Sequence, residues 1–378
     1  MSTFPPPNPP AGPAAPGPGS APDTAPVTAL IGWPNAQRQV AFEEWIADLA
    51  PTLGLRLESL APASTDASFR RYFRVQAEGC SWVVMDAPPP LEDVRPFVRL
   101  AAMLGQAGLN VPRVLHADPD QGFLLLSDLG EQVYLRALTE ATPAQADALM
   151  LDALKALLHF QQHVSATELP AFDEALLREE LALFPRWCVQ REFGVRWSAA
   201  QQAAWDGICD KLVASALAQP QVAVHADWMP RNLMVCPADQ GNPGILDFQD
   251  AVRGPITYDL ASLLRDAFIS WDETQELDWA VRWWQQARAA GLPLNETMAA
   301  DFGEFWRALE WMGLQRHLKV MGIFCRLKHR DGKPHYAVDL PRFLAYAQKV
   351  ALRYGPLRPL LTLLEPLSGA RVTAGYTF

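Results

Sequence analysis

Apolar periodicity changes character once along this chain, and that change restricts the folds open to it. Between residues 54 and 128, β-prone runs a few residues long alternate with turn residues. Beyond Gly130 the apolar residues recur at helical spacing, interrupted by one β-rich island at 222–252. On the first side the pattern predicts a helix over 35–49 stopped by Pro51, strands over 55–60, 69–75 and 82–85, and a helix over 92–106 ending near Gly108. A hairpin joining 111–117 to 123–127 completes that side. On the second side helices are predicted over 143–164, 172–184, 199–218, 258–270, 274–290, 299–318 and 340–354. A small sheet carrying one long helix, a short connector near 126–130 and a helical body make a bilobal α+β arrangement, with lobes at 27–130 and 131–378.

The remaining segment is expected to be disordered. Ten of the 33 prolines fall within residues 1–26, with almost no large apolar side chain among them, too little to offset the entropy of ordering. It also lacks the basic start and apolar run of a secretory signal. The net charge of 32 − 42 = −10 argues against nucleic acid as a partner. No stretch approaches the ~18 consecutive apolar residues of a membrane span. The five cysteines form no CxxC pair, which fits free, mostly buried thiols in a reducing, cytoplasmic setting and neither a disulfide frame nor a zinc site. Nothing in the chain points to a protein partner.

The chemistry concentrates in the island. There His225-Ala226-Asp227-Trp228-Met229-Pro230-Arg231-Asn232 lies between apolar strands, and Leu246-Asp247-Phe248-Gln249-Asp250 ends a second strand in an exposed acid. A strand pair holding Asp227, Asn232 and Asp247 gathers two carboxylates and an amide oxygen, hard ligands suited to Mg²⁺ and proton acceptors suited to a hydroxyl nucleophile. Phosphoryl transfer needs this set: metal contacts bridging the phosphates and an acid that positions the attacking hydroxyl.

The pattern H-x-D-x-x-x-x-N, followed by an apolar strand ending in Asp, resembles the aminoglycoside phosphotransferase and choline kinase branch of the protein-kinase-like fold. The run Gly254-Pro255-Ile256-Thr257-Tyr258-Asp259-Leu260-Ala261 is similar to that family's segment after its metal-binding Asp. The resemblance implies ATP and Mg²⁺ as cofactors, Asp227 as the base, Asn232 and Asp247 as metal ligands, and His225 as a support of the loop. Ala226 stands where the family usually has glycine.

On the amino-terminal side, Ser64-Thr65-Asp66-Ala67-Ser68-Phe69-Arg70-Arg71 lies between two strands, where kinases place a phosphate-covering loop. It has no G-x-G-x-x-G; Ser64, Thr65, Ser68 and backbone N–H groups are its candidate phosphate contacts. Met85 sits near the place of the usual phosphate-binding lysine, which leaves Arg70 and Arg71 as the candidate cations. The stretch 122–130 resembles the strand and hinge that pair with adenine, and it puts Asp128 among the nucleotide contacts.

Several runs narrow the acceptor. The stretch 64–73, Met85-Asp86-Ala87-Pro88-Pro89, Leu246-Asp247-Phe248-Gln249-Asp250 and 326–333 together resemble the bacterial anomeric sugar kinases, over residues 36–360. That family implies MgATP-dependent phosphorylation of C1 of N-acetylmuramate and N-acetylglucosamine in peptidoglycan recycling. Arg231, Asp250, Arg326, Arg330 and Lys333 are the expected acceptor contacts. Between residues 316 and 333 six Lys/Arg face one acid, +5 within a chain of −10, a cluster suited to a lactyl carboxylate or a product phosphate and equally to a solvated helix end. Trp187, Trp228 and Phe324 are candidates for an apolar sugar platform, whereas Trp279, Trp283 and Trp284 read as packing. Two alternatives stay open: another small-molecule kinase of this fold, acting on choline, homoserine or an aminoglycoside, and an inactive nucleotide-binding protein lacking the lysine.

Overall fold

The computed structural model describes residue 33 and residues 35–64, 69–237 and 240–368. The predicted tail and residues 65–68 of the phosphate-covering loop lie outside them. Helix α1 (Ala36–Leu53) starts where the Asn35 side chain accepts from the Arg38 N–H at 2.8 Å. It runs through Pro51, which was expected to stop it, and ends at the left-handed Gly54. A proline in the last turn forfeits a single backbone bond, so the helix tolerates it.

Strands β1 (Arg56–Ser64), β2 (Arg71–Ala77), β3 (Cys80–Asp86), β4 (Val114–Asp118) and β5 (Phe123–Ser127) form an antiparallel sheet in the order β1-β2-β3-β5-β4. Alternation gives the sheet two apolar faces. Phe73, Val75, Val84, Phe123 and Leu125 pack on α1 through Phe42 and Ile46. Met85, Leu124 and Leu126 face the other way, where α2 (Arg95–Gln106) lays Phe97, Leu100 and Leu104 against them, and that face is continuous with the core of the helical lobe.

The second lobe contains α3 (Tyr134–Glu140), α4 (Pro143–His163), α5 (Glu174–Leu183), a π-helical continuation over Phe184–Glu192, and α6 (Ala199–Leu217). The island follows as two small ribbons. Strand β6 (Gln221–Val224) pairs with β9 (Val252–Pro255), and β7 (Leu233–Met234) pairs with β8 (Gly244–Ile245). Helices α7 (Tyr258–Leu264), α8 (Glu273–Ala289), α9 (Glu296–Ala300), α10 (Phe302–Asp331), α11 (Leu340–Arg353) and α12 (Pro359–Ser368) complete it.

Two helices differ from expectation. Helix α7 stops at Leu264 because Arg265 leaves helical backbone and the Asp266 carboxylate takes the Phe268 and Ile269 N–H groups. Helix α10 continues 13 residues past the predicted end at 318, to Asp331, with Leu318, Met321, Phe324 and Cys325 buried along it and Lys319 and Lys328 ion-paired on its flanks. It crosses the lobe closely: a Cβ at Gly322 would stand 2.5 Å from the Leu183 carbonyl carbon, where α5 passes into its π-helical continuation. Trp279, Trp283 and Trp284 are buried packing, as read from the sequence.

Candidate active site

The island's loop is held by hydrogen bonds that leave its functional atoms facing the cleft. Asp259, fully buried in the first turn of α7, accepts the N–H groups of His225 at 2.6 Å and Ala226 at 3.1 Å. Burial pushes its carboxyl up to about 7 against those bonds and the charge of Arg316. His225 is buried as well, and desolvation pushes its imidazole down to about 4, so the ring is neutral near pH 7. A neutral ring has one donor and one acceptor. Here Nε2 donates to the Leu246 carbonyl at 2.9 Å and Nδ1 accepts the Asp227 N–H at 3.3 Å. The histidine thus ties the Asp227 loop to the strand that presents Asp247, a supporting role.

Asn232 completes the tie. Its Nδ2 donates to the Asp227 carbonyl at 3.0 Å and reaches Asp247 Oδ2 at 3.5 Å, while its own carbonyl accepts the Leu246 N–H. Behind Asp247, the buried Phe248 ring packs 4.7 Å from Phe97 of α2, joining this wall to the small lobe. Two residues adopt left-handed backbone, Ala226 at φ 77° and Asp247 at φ 61°. The missing loop glycine is therefore a real departure, because Ala226 occupies a conformation that glycine takes without strain.

Asp227, Asn232 and Asp247 are brought together at the cleft, and Asp250 joins them: its charge reaches Asp247, and Gln249 Nε2 bridges to Asp247 Oδ1 at 2.7 Å and to Asp250 Oδ2 at 3.4 Å. Desolvation, then the neighbouring Asp227 and Asp250, hold the Asp247 carboxyl above its ordinary range despite Gln249 and Arg70. An under-neutralised set of hard oxygens fits a divalent cation. Among the described residues no three His, Cys, Asp or Glu side chains converge as metal ligands. One carboxylate and one amide oxygen suit Mg²⁺, which takes most of its remaining ligands from water and phosphates.

A cavity of about 810 Å³ opens between the lobes, lined from the small lobe by Tyr72, Arg74 and Val83, from the connector by Asp128–Glu131, and from the large lobe by Arg231, Asn232 and Asp247. Asp128 reaches it but is occupied. Burial opposes its charge, yet bonds from Arg74, Ser81 and the Gly130 N–H hold its carboxyl below the usual range. Ser64 closes β1, and Thr65 and Ser68 fall outside the described residues. The two candidate arginines part ways. Arg70 pairs with Glu92, whereas Arg71 pairs with Asp86 and lies 4.3 Å over the Trp33 ring.

The structure places the acceptor candidates apart from one another. Arg231 does line the cavity, 5.1 Å over Phe268. Arg326, Arg330 and Lys333 do not: they sit at the far end of α10, where Arg330 is exposed and paired with Asp331. The basic run is largely neutralised in place, with Lys319 paired to Glu180 and Lys328 to Glu192. Trp228 offers no platform, being fully buried between Phe160 and His225, and Phe324 is buried against Phe268, Tyr336 and Phe343. Sequence reading missed the cavity wall at His335, Tyr336 and Asp339, in the short 3₁₀ segment Pro334–Asp339 with no periodic signal. It counted Arg316 and Lys319, in the middle of α10, within the basic run without singling them out. There Arg316 donates to the Ala226 carbonyl at 3.1 Å, and Lys319 donates to the Tyr258 hydroxyl at 3.0 Å.

Comparison with known proteins assigns the class. Residues 59–294 match the phosphotransferase enzyme family, and the chain belongs to that family. An ADP-bound aminoglycoside phosphotransferase superposes with a TM-score of 0.55 at 13% identity, over 81% of this chain and 98% of that one, which establishes a shared fold. More particular relatives are the N-acetylmuramate/N-acetylglucosamine kinases. That of Pseudomonas putida is 51% identical over 83% of this chain and 90% of its own length, and that of Neisseria meningitidis 45% identical over 90% and 100%.

Proposed function

We propose that the chain transfers the terminal phosphoryl group of MgATP to the anomeric C1 hydroxyl of N-acetylmuramate and N-acetylglucosamine, producing sugar 1-phosphates in cytoplasmic peptidoglycan recycling. The observation that carries this reading is that Asn232 and Asp247 line one end of the inter-lobe cavity with Asp227 beside them, its carbonyl accepting from Asn232 Nδ2 and its charge reaching Asp247, in a loop held by the neutral His225 and the buried Asp259. The relatives' amino-sugar kinase names support the acceptor.

In this reading Asp227 orients the acceptor hydroxyl and takes its proton as the O–P bond forms and the bond to the nucleotide's leaving oxygen breaks. Asp247 and Asn232 would hold Mg²⁺, which when bound would supply positive charge against the phosphates. The acceptor ring occupies the large-lobe side of Asp227, toward Lys319, Glu180 and Gln315. There Gln315 Nε2 donates to Glu180 Oε2 at 2.8 Å, and both Arg316 and Lys319 feel the charge of Asp227. A mixed set of donors and acceptors of this kind matches vicinal sugar hydroxyls.

The test incubates the full chain with MgATP and each sugar and reads ³¹P–¹H coupling at C1 of the product. Coupling to the C1 proton is expected with both sugars. Phosphate at another carbon, or turnover only with choline, homoserine or an aminoglycoside, overturns the reading. Asp227→Asn is expected to retain nucleotide binding and lose ~10²–10⁴ in turnover.

A further inference from the structure

The inter-lobe cavity is lined differently along its length. Beside the connector, Val83 and Leu126 from the small lobe and Met234 and Leu246 from the large lobe give it apolar sides suited to a flat base. Asn232 and Asp247 follow, and Arg231, next to Asn232 in the chain, lies 5.1 Å over the Phe268 ring. At that end the lining is Phe268, His335, Tyr336 and Asp339, and binding of the nucleotide calls on none of them.

Two segments build that end. Gly332, left-handed at φ 67°, ends α10 and turns the chain, with the Lys333 N–H bonded to the Leu327 carbonyl at 3.1 Å. The 3₁₀ segment Pro334–Asp339 then packs back on α10. In it the Tyr336 ring lies 5.2 Å from the buried Phe324 ring and 4.3 Å from His335. Phe268 belongs to the loop after α7 and stands 6.0 Å from the same Phe324, so one buried ring backs both segments. Arg342 of α11 ties them together. It pairs with Asp339 at 3.5 Å and donates to the Ser270 hydroxyl at 2.9 Å and to the carbonyls of Asp266 and Ala267.

We propose that Tyr336, with His335 and Phe268 beside it, is the wall against which the acceptor's pyranose ring lies, so that the segment Pro334–Asp339 sets affinity for the sugar and not for the nucleotide. The inference rests on the amino-sugar kinase reading and deepens it, adding an apolar surface to the polar set of Lys319, Glu180 and Gln315. A pyranose carries C–H groups on its faces and hydroxyls around its rim. Aromatic rings offer area to the faces at a small cost in side-chain freedom. The Asp339 carboxylate and the His335 imidazole share the same lining and can bond hydroxyls. Rings and a carboxylate favour such a ligand over phosphate oxygens, which need donors. Both amino sugars have this ring, so the wall acts on both alike.

The experiment measures KM for N-acetylglucosamine, N-acetylmuramate and ATP with the full chain and its variants. For Tyr336→Ala, KM for both sugars is expected to rise about 5–50-fold, the loss of one aromatic contact, while KM for ATP is unchanged. Tyr336→Phe is expected to stay within about 3-fold of the parent, because the ring and not the hydroxyl carries the contact. His335→Ala is expected to raise both sugar KM values about 2–5-fold. Val338→Ala, at a residue 76% exposed and outside the cavity lining, is expected to change none of the three. Should Tyr336→Ala fail to fold, Tyr336→Leu keeps apolar bulk, loses the flat ring and carries the same comparison. A folded Tyr336→Ala with unaltered sugar KM values overturns the inference, as does an equal rise for ATP or a Tyr336→Phe as impaired as Tyr336→Ala. These outcomes, in an enzyme that phosphorylates the sugars, defeat the inference alone. Absence of turnover of either sugar by the unaltered chain defeats the amino-sugar reading and the inference with it.

Discussion

The two walls of the cleft hold their functional groups by different means. On the large-lobe wall the Asp227 loop is fixed through backbone: Asp259 takes two consecutive N–H groups, His225 bridges the Asp227 N–H and the Leu246 carbonyl, and Asn232 bonds the Asp227 carbonyl. On the small-lobe wall the groups are fixed side chain to side chain: Arg70 on Glu92, Arg71 on Asp86, Arg74 on Asp128. A backbone-anchored site cannot move a residue by one position without losing its ladder, so its spacing is rigid. A pair of side chains can be rebuilt from neighbouring strands with the same charge in the same place. The difference teaches that one wall is read from sequence spacing and the other only from register.

The largest effect expected from this contrast is on the large-lobe wall. Asp247→Ala removes the one carboxylate among the proposed metal ligands and is expected to cost ~10²–10⁴ in turnover, the several kcal/mol of charge stabilisation a bound metal supplies. Asn232→Ala is expected to shift the magnesium titration to higher concentration with less loss at saturation. Steady-state assays across a magnesium series check both, and identical titrations in both variants and the parent would remove these residues from the metal site.

Next in size is the anchor itself. Asp259→Ala strands two N–H groups, of His225 and Ala226, inside the lobe. At about 1–3 kcal/mol for each unsatisfied buried donor, a stability loss of about 2–5 kcal/mol is expected by denaturant titration. Asp259→Asn keeps one acceptor oxygen, for one of the two N–H groups, and turns its NH2 toward the other, so it should lose part of this stability. A loss equal to that of Asp259→Ala would mean that both bonds are needed together.

These expectations also explain what was legible. The spacing of His225, Asp227, Asn232, Asp247 and Asp259 was legible through the family pattern it resembles, and one hydrogen-bonded loop brings these residues together. The bilobal α+β arrangement was readable from the change of period near Gly130. Arg70 and Arg71 were not separable, because adjacent residues on a strand differ only in the face they point to, and the phase of that alternation is set by pairing with β3. The +5 of residues 316–333 is reduced for a related reason. Charge counted along a helix ignores acids on other elements, and Glu180 and Glu192, from α5 and its continuation, neutralise Lys319 and Lys328.

That helix supplies a smaller test of the same comparison. Its middle and its C-terminal end carry cations of similar sequence appearance and opposite setting, Lys319 sheltered beside Glu180 and Tyr258, Arg330 exposed beside Asp331. Lys319→Met removes one member of a mostly buried pair, while Gln315 still bonds Glu180. A stability loss of about 1–3 kcal/mol is expected, below the 3–5 of a fully buried pair because both groups keep some solvent. A rise in KM for the sugar without a matching change in KM for ATP should accompany it. Arg330→Ala is expected to leave both KM values unchanged. A selective effect of Arg330→Ala on the carboxylate-bearing sugar would move the acceptor's acidic arm to the outer end of α10.

The smallest effect concerns strain within the anchored wall. Ala226 stands at φ 77°, in the region where a Cβ meets the following carbonyl at a cost of roughly 1–2 kcal/mol. The loop keeps this residue there because Asp259 holds its N–H and Arg316 takes its carbonyl, so both backbone groups over-determine the conformation. Ala226→Gly removes the clash but gains freedom in the unfolded chain worth roughly 0.5–1 kcal/mol, so a net stabilisation of about 0.5–1 kcal/mol is expected, read as a higher denaturant midpoint at constant slope. Turnover should be unchanged, because the anchors, and not the Cβ, place Asp227. A lower midpoint would show that the Ala226 methyl packs productively, and a fall in turnover at constant stability would show that the strained turn itself aims the Asp227 carboxylate.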